Sequence, residues 1–138
     1  YPAHFRWSRV IPANDLEARI NRSLKVGRIV RIVPLKRAPS GHLNSILVEG
    51  SLGRRTVSSE MSIRGLFGVG SQRSSLFVLD TEYDASGRPE SYVFHGGGWG
   101  HGVGMCQSGA MGRAEAGQSY PEILQAYFKG IEIGNLEY

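Results

Sequence analysis

"GRIVRIVPLKRAPSGHLNSILVEGS", residues Gly27 to Ser51, is the stretch that decides the fold class. Its halves, "GRIVRIVPLKR" and "HLNSILVEGS", are rich in Val, Ile and Leu, and β-branched residues fit a pleated surface better than a helix. Between them "APSG" supplies Pro, Ser and Gly, which favour tight turns. The pattern predicts a β-hairpin. Working outward, "RRTVSSE" adds a third strand, and "SLFVLDTEYD" and "ESYVFHGG" add two more around an "ASGRP" turn.

Helices are expected at intervals. In "PANDLEARINRSL", Asn14 is placed as N-cap with Glu17 completing a capping box. Leu16, Ile20 and Leu24 form an apolar stripe there, and Gly27 is the stop. "MSIRGLFG" is a helical turn or two closed by Gly68 or Gly70. Val103, Cys106, Ala110 and Ala114 recur at spacings of three and four, a small-residue face on a helix ended by Gly117. In "SYPEILQAYFKG", Ser119 and Glu122 form a capping box, Pro121 sits in the first turn and Gly130 lies past the last. Ile123, Leu124, Tyr127 and Phe128 make its buried face, and "IEIGNLEY" closes the chain as a strand. The expected class is α+β: a β-rich body of antiparallel hairpins with three or four short helices, one domain over residues 1–138.

Composition agrees. The chain has 138 residues, 41% hydrophobic and 20% charged, enough for a packed core and too apolar for a disordered chain. No apolar run approaches the roughly 18 residues of a membrane span. The opening "YPAHFRWSRV" has no signal-peptide pattern, and a chain starting at Tyr is expected to be cut from something longer. One Cys excludes an internal disulfide and a zinc site of several thiolates, so redox compartment stays open. Residues 1–64 hold twelve Lys/Arg against four Asp/Glu, whereas residues 65–138 hold four against eight. A basic first half suits an anionic partner, such as nucleic acid, anionic lipid or a wall polymer, and equally an ordinary solvated surface.

Chemistry concentrates in "FHGGGWGHGVGMCQSGA", Phe94 to Ala110; eight of the nineteen glycines lie between Gly96 and Gly112. A phosphate cradle fits poorly, because neither G-x-G-x-x-G nor a P-loop lysine occurs in it. A metal site at His95, His101 and Cys106 lacks zinc spacing and a second thiolate. Nucleophilic use of Cys106 competes with a plain structural role, since Cys106 falls on the small-residue stripe and free Cys is usually buried. Polysaccharide binding is a fourth reading. Trp99 and Tyr92 offer flat faces, His101 and Gln107 offer hydrogen bonds, and glycine lets backbone amides approach a bulky ligand. A tight strand-to-helix crossover whose Trp fills the core explains the same residues.

"GWGHGVGMCQSGAMGRAEAGQSYPEILQAYFKGIEI" resembles the signature closing the SpoIID/LytB domain, the family of stage II sporulation protein D and the amidase enhancers. Gly98, Gly100, His101, Gly102, Val103, Gly104, Met105, Gln107, Gly109 and Ala110 match it, and Ile123, Leu124, Tyr127, Gly130 and Ile133 continue the match. "FRW", "ANDLEARI", "APSGHLNSILVEG" and "SIRGLFG" follow in the family's order. The likeness is strong over residues 97–133 and looser before, and it reads the chain as the later part of such a domain.

The resemblance implies a peptidoglycan-acting protein of the cell envelope or periplasm, related to lytic transglycosylases. In that chemistry one carboxylic acid protonates the leaving glycosidic oxygen and the sugar's own hydroxyl attacks. Sporulation is one family role among several. The implied substrate-binding residues are His101, Gln107, Trp99, Gly100, Gly102 and Gly104. The family's catalytic Glu lies on a helix patterned like "EALKAQAVAARTY", and a Cys/His segment holds zinc in some members; neither stretch occurs here. The family's Ser after G-M is replaced by Cys106. Glu60, Glu115 and Glu122 do not fall at the catalytic position, so no catalytic residue, metal ligand or cofactor is assigned, and the chain alone is expected to be inactive. Partners implied are glycan strands and a cell-wall amidase. A non-catalytic binding or amidase-enhancing module is the alternative, and a nucleic-acid binder ranks last.

Overall fold

The computed structural model describes residues 5–68 and 70–134. In it β1 (Arg6–Pro12) runs straight into α1 (Ala13–Asn21), followed by β2 (Ile29–Arg37), β3 (Leu43–Gly50), β4 (Gly53–Ser58) and α2 (Glu60–Phe67). Then come β5 (Phe77–Tyr83), β6 (Pro89–Gly97), α3 (Gln107–Glu115) and α4 (Tyr120–Tyr127). The strands form two antiparallel sheets, ordered β1-β6-β5 and β2-β3-β4. This is the α+β arrangement of hairpins with short helices that the sequence predicts. Contacts divide the chain into two compact units, Tyr1–His101 and Gly102–Tyr138.

In the first unit both sheets and both helices close on one core. Central β3 turns Leu43, Ile46 and Val48 inward, and α2 packs on β3 and β4 through Ile63, Leu66 and Phe67. Leu16 and Ile20 of α1 are fully buried, as their spacing predicts. Pro34, which cannot donate to a ladder, sits on β2 at a sheet edge. Phe67, Phe77 and Phe94 meet edge to face, with centroids 5.0 to 5.6 Å apart, and each such side chain buried is worth about 1.5–3 kcal/mol. At the C-terminal end of α2, Arg9 and Arg19 both donate to the Phe67 carbonyl, at 3.0 and 2.8 Å. Cations suit that negative helix end. Burial, and then the charge of Arg19, hold Arg9 below the usual arginine range.

Local readings needed correction. Pro12, not Asn14, is the N-cap of α1, and no side chain caps it. Proline's fixed φ starts the helix directly from β1. Glu17 instead accepts the Ile29 backbone N–H at 2.8 Å, tying α1 to the start of β2. The strand β1 itself was not foreseen.

In the second unit α3 packs against α4. The Ser119–Glu122 capping box is present, with Pro121 in the first turn. Ile123 is buried and Leu124 and Tyr127 half-buried, but Phe128 caps the helix in extended conformation and is exposed. No residue of α3 is buried, Val103 precedes the helix and is 74% exposed, and Cys106 is its exposed N-cap. The buried small-residue face is therefore not formed. Residues 131–134 lie in no strand, and the rest of the expected closing strand falls outside the described residues.

Candidate functional site

The glycine run begins as the end of β6. There Gly96 stands in register between Trp7 of β1 and Phe77 of β5. A Cβ at Gly96 would fall inside the Trp7 ring, so only glycine lets the indole lie against the strand. The Trp7 Nε1–H then donates to the Gly98 carbonyl at 2.9 Å. Gly97 is held on both sides: its N–H donates to the Leu76 carbonyl at 2.9 Å, and its carbonyl accepts from Ser74 Oγ at 2.8 Å. Gly100 donates to the Arg73 carbonyl at 3.0 Å and forms a parallel bridge with Ser74. The first part of the run is thus tied into the fold. Trp7 carries this arrangement, and its place in "FRW", far from the glycines in sequence, gave no sign of it.

Trp99 emerges from that tied backbone. It is 57% exposed, and the Arg73 guanidinium lies 5.9 Å from its ring. A hollow of about 330 Å³ borders it, shared with Arg9, Ser71 and Arg73. A large exposed aromatic with a cation near its ring can stack on a flat ligand ring. Tyr92, the other proposed flat face, cannot. It is 1% exposed in the core, because its position on β6 points inward beside Ile11 and Thr81.

Beyond Trp99 the backbone alternates in hand. Gly98, Gly100, Gly102 and Gly104 have φ of +70°, +135°, +69° and +96°, whereas Trp99, His101 and Val103 do not take positive φ. Every second position therefore demands glycine, which accounts for the G-x-G-x-G-x-G spelling. The boundary between the two units falls between His101 and Gly102. Trp99, Gly100 and His101 belong to the first unit; Gly102, Gly104 and Gln107 belong to the second.

His101 is exposed, as is Gln107, the first residue of α3. Val103, Met105 and Cys106 are exposed as well. Within the second unit a Cβ at Gly104 would contact the Phe128 ring, and one at Gly109 would collide with the Tyr127 hydroxyl. His95, on β6, takes other partners: Ser8 Oγ at 2.9 Å and Asp80 at 3.9 Å. His42 pairs with Ser40 Oγ at 3.1 Å, and His4 lies outside the described residues. Among the described residues no three of His, Cys, Asp and Glu gather in a metal-sized group.

The acids are engaged in structure or stand on the surface. Glu60 Oε1 accepts from Arg64 at 3.2 Å, and its Oε2 is buried without a partner. Glu122 accepts from the Ser119 hydroxyl and backbone N–H, both at 2.7 Å, which holds its carboxyl below the usual carboxylate range. Glu115 is exposed at the end of α3.

Residues 2–104 match the family described as Domain of unknown function (DUF8618), and the chain belongs to that family. Over 42 residues it is 56% identical to the amidase enhancer of Bacillus subtilis (strain 168), a segment that is 30% of this chain and 6% of that protein. Over 41 residues it is 51% identical to an uncharacterized protein of Brachyspira hyodysenteriae, 30% of this chain and 11% of that protein. The chain thus spans a small part of the length of these curated relatives.

Proposed function

We propose that this chain is a cell-wall glycan-binding part of a larger envelope protein acting on peptidoglycan, of the lytic transglycosylase or amidase-enhancer kind. The observation that carries the reading is the exposure of Trp99, His101 and Gln107 on backbone that glycine keeps open. An aromatic face, an imidazole and a carboxamide are the groups that bind hydroxyl-rich and acetamido-bearing rings. The similarity to an amidase enhancer supports the choice of wall polymer as ligand and of a wall amidase as partner. Glu60 and Glu122 are engaged in structural hydrogen bonds, so binding is the contribution proposed for this chain.

The test is retention on purified sacculi. The parent chain should sediment with them, and His101→Ala and Gln107→Ala should each release it while still folded. Equal retention of folded variants would remove the glycine corner from the ligand site. Binding to DNA with steep salt dependence and none to sacculi would favour the nucleic-acid reading instead.

A further inference from the structure

A second cleft, of about 620 Å³, lies in the first unit among β1, β5, β6 and the end of β2. Gly96, covered by the Trp7 ring, and Gly97 line it, with Leu76 and Phe77 of β5 beside them. Two cations line it. Arg6 reaches over Gly97, where a Cβ would come 3.0 Å from its Nη1, and it donates to the Phe5 carbonyl at 2.9 Å. Arg37 is anchored by Nη1 to the Gly41 carbonyl at 2.8 Å and by Nη2 to the Phe77 carbonyl at 2.9 Å. These bonds use part of each guanidinium's five donors and fix the orientation of the fork.

The cleft lacks their counterion. No Asp or Glu lines it, and neither arginine has an ion-pair partner among the described residues. Asp80 meets His95 at the rim, outside the lining. Pre-oriented guanidinium forks over an apolar floor match a planar carboxylate, which can take two parallel N–H···O bonds. The volume is that of a small-molecule site, too confined for a polymer duplex. Ser8 and His95, hydrogen-bonded to each other at 2.9 Å, add a polar edge for the ligand's hydroxyl or amide groups.

We propose that this cleft is a carboxylate-binding site, distinct from the glycine corner, that takes an acid borne on a small sugar or acyl body. The chemistry of the cleft stands by itself; the choice of wall-derived ligands rests on the function proposed above. Two sources carry that group in a bacterial wall: the lactyl carboxylate of a muramic acid residue from which the stem peptide has been hydrolysed, and the free carboxylates of a wall peptide.

Titration of the whole chain, followed by backbone amide NMR, separates them. The probes are N-acetylmuramic acid, its methyl ester, N-acetylmuramyl-L-alanyl-D-isoglutamine, chitotriose and inorganic phosphate. N-acetylmuramic acid or the muramyl dipeptide should bind with shifts on β1, β5 and β6, and the tighter of the two identifies the source. The methyl ester and chitotriose should bind at least about tenfold more weakly, the scale of one lost charge-assisted bond. Arg6→Gln should cost about the same factor, and because Arg6 is exposed and contacts its neighbour Phe5 through that residue's carbonyl and ring, this variant should fold. Arg37→Gln should weaken binding further. An ester as tight as the acid, phosphate as tight as either carboxylate probe, or unchanged affinity in folded Arg6→Gln would overturn the site. Sacculus retention that depends on His101 but shows no carboxylate selectivity sinks this cleft and leaves the wall reading standing. Carboxylate selectivity without sacculus retention does the reverse.

Discussion

The indole nitrogen of Trp7 donates to the carbonyl oxygen of Gly98 at 2.9 Å, across 91 positions of sequence. The same ring rests on Gly96, so β1 and the start of the glycine run are built around one side chain. Gly96→Ala should therefore destabilise the chain by about 1–3 kcal/mol, the usual penalty for overpacking. Gly112 is the contrasting position: it lies inside α3, and a Cβ there would meet nothing within 4 Å. Gly112→Ala should stabilise by about 0.5–1 kcal/mol through helix propensity. Urea unfolding followed by Trp fluorescence and far-UV circular dichroism reads both. An alanine at position 96 as stable as the parent would mean the ring lies elsewhere.

Tyr92 offers a second test. Its hydroxyl is buried with no partner, and burial, then the charges of Tyr83 and Glu17, push its pKa up to about 12. Tyr92→Phe removes an unsatisfied polar atom and should be neutral or stabilising by about 1 kcal/mol. An unfolded tyrosine ionises at its ordinary pKa of 10.0, while the folded one holds its proton longer. The contribution is complete below pH 10 and is lost as pH rises toward about 12. The phenylalanine variant should keep more of its stability through that window in alkaline unfolding. A loss of stability at pH 7 would show that the hydroxyl has a partner.

Glu122 works at the other end of the scale. Ser119 lowers its pKa through the capping box, so the cap is intact above the ordinary carboxylate pKa and is lost as pH falls through the lowered one. Glu122→Gln should flatten the acid limb of α4 melting, and Ser119→Ala should shift the Glu122 titration upward. Both are read by amide NMR across pH 2 to 6. An unchanged Glu122 titration in the Ser119 variant counts against the cap.

The exposure of Gln107 makes its stability cost small. Gln107→Ala should stay within about 0.5 kcal/mol of the parent by thermal melting, as surface substitutions do. The chain alone should release no anhydro-muropeptides from sacculi. Steady release would place a general acid within these residues, with Glu60 the first to be replaced by Gln.

Much of the architecture was legible because period-two apolar runs leave little choice. Ile46 and Val48 can only face one side of β3, and the turn residues between strands mark where pairing reverses. Helix starts were harder. Asn14 and Glu17 have the chemistry of a capping box, but Pro12 joined β1 to α1 with no room for a cap, and Glu17 found a tertiary donor instead. Sequence cannot show such a donor twelve residues away. At the candidate site the glycine spacing was readable, whereas the fate of the aromatics was not. Trp99 and Tyr92 carry similar labels in sequence, yet strand register sends Tyr92 inward. Cys106 shows the converse: its average tendency is burial, but α3 presents no buried face.

The contrast between crowded glycines and exposed polar side chains within one run has an evolutionary consequence. At Gly96 and Gly97 the atoms that crowd a side chain are other atoms of the same fold, so drift there is checked by whether the chain survives unfolding and proteolysis. The exposed side chains of His101 and Gln107 are checked in addition by whatever the surface meets. Two neighbouring stretches of one motif should therefore diverge under different pressures. A descendant that abandons its ligand would be expected to keep Gly96 and Gly97 long after losing His101 and Gln107.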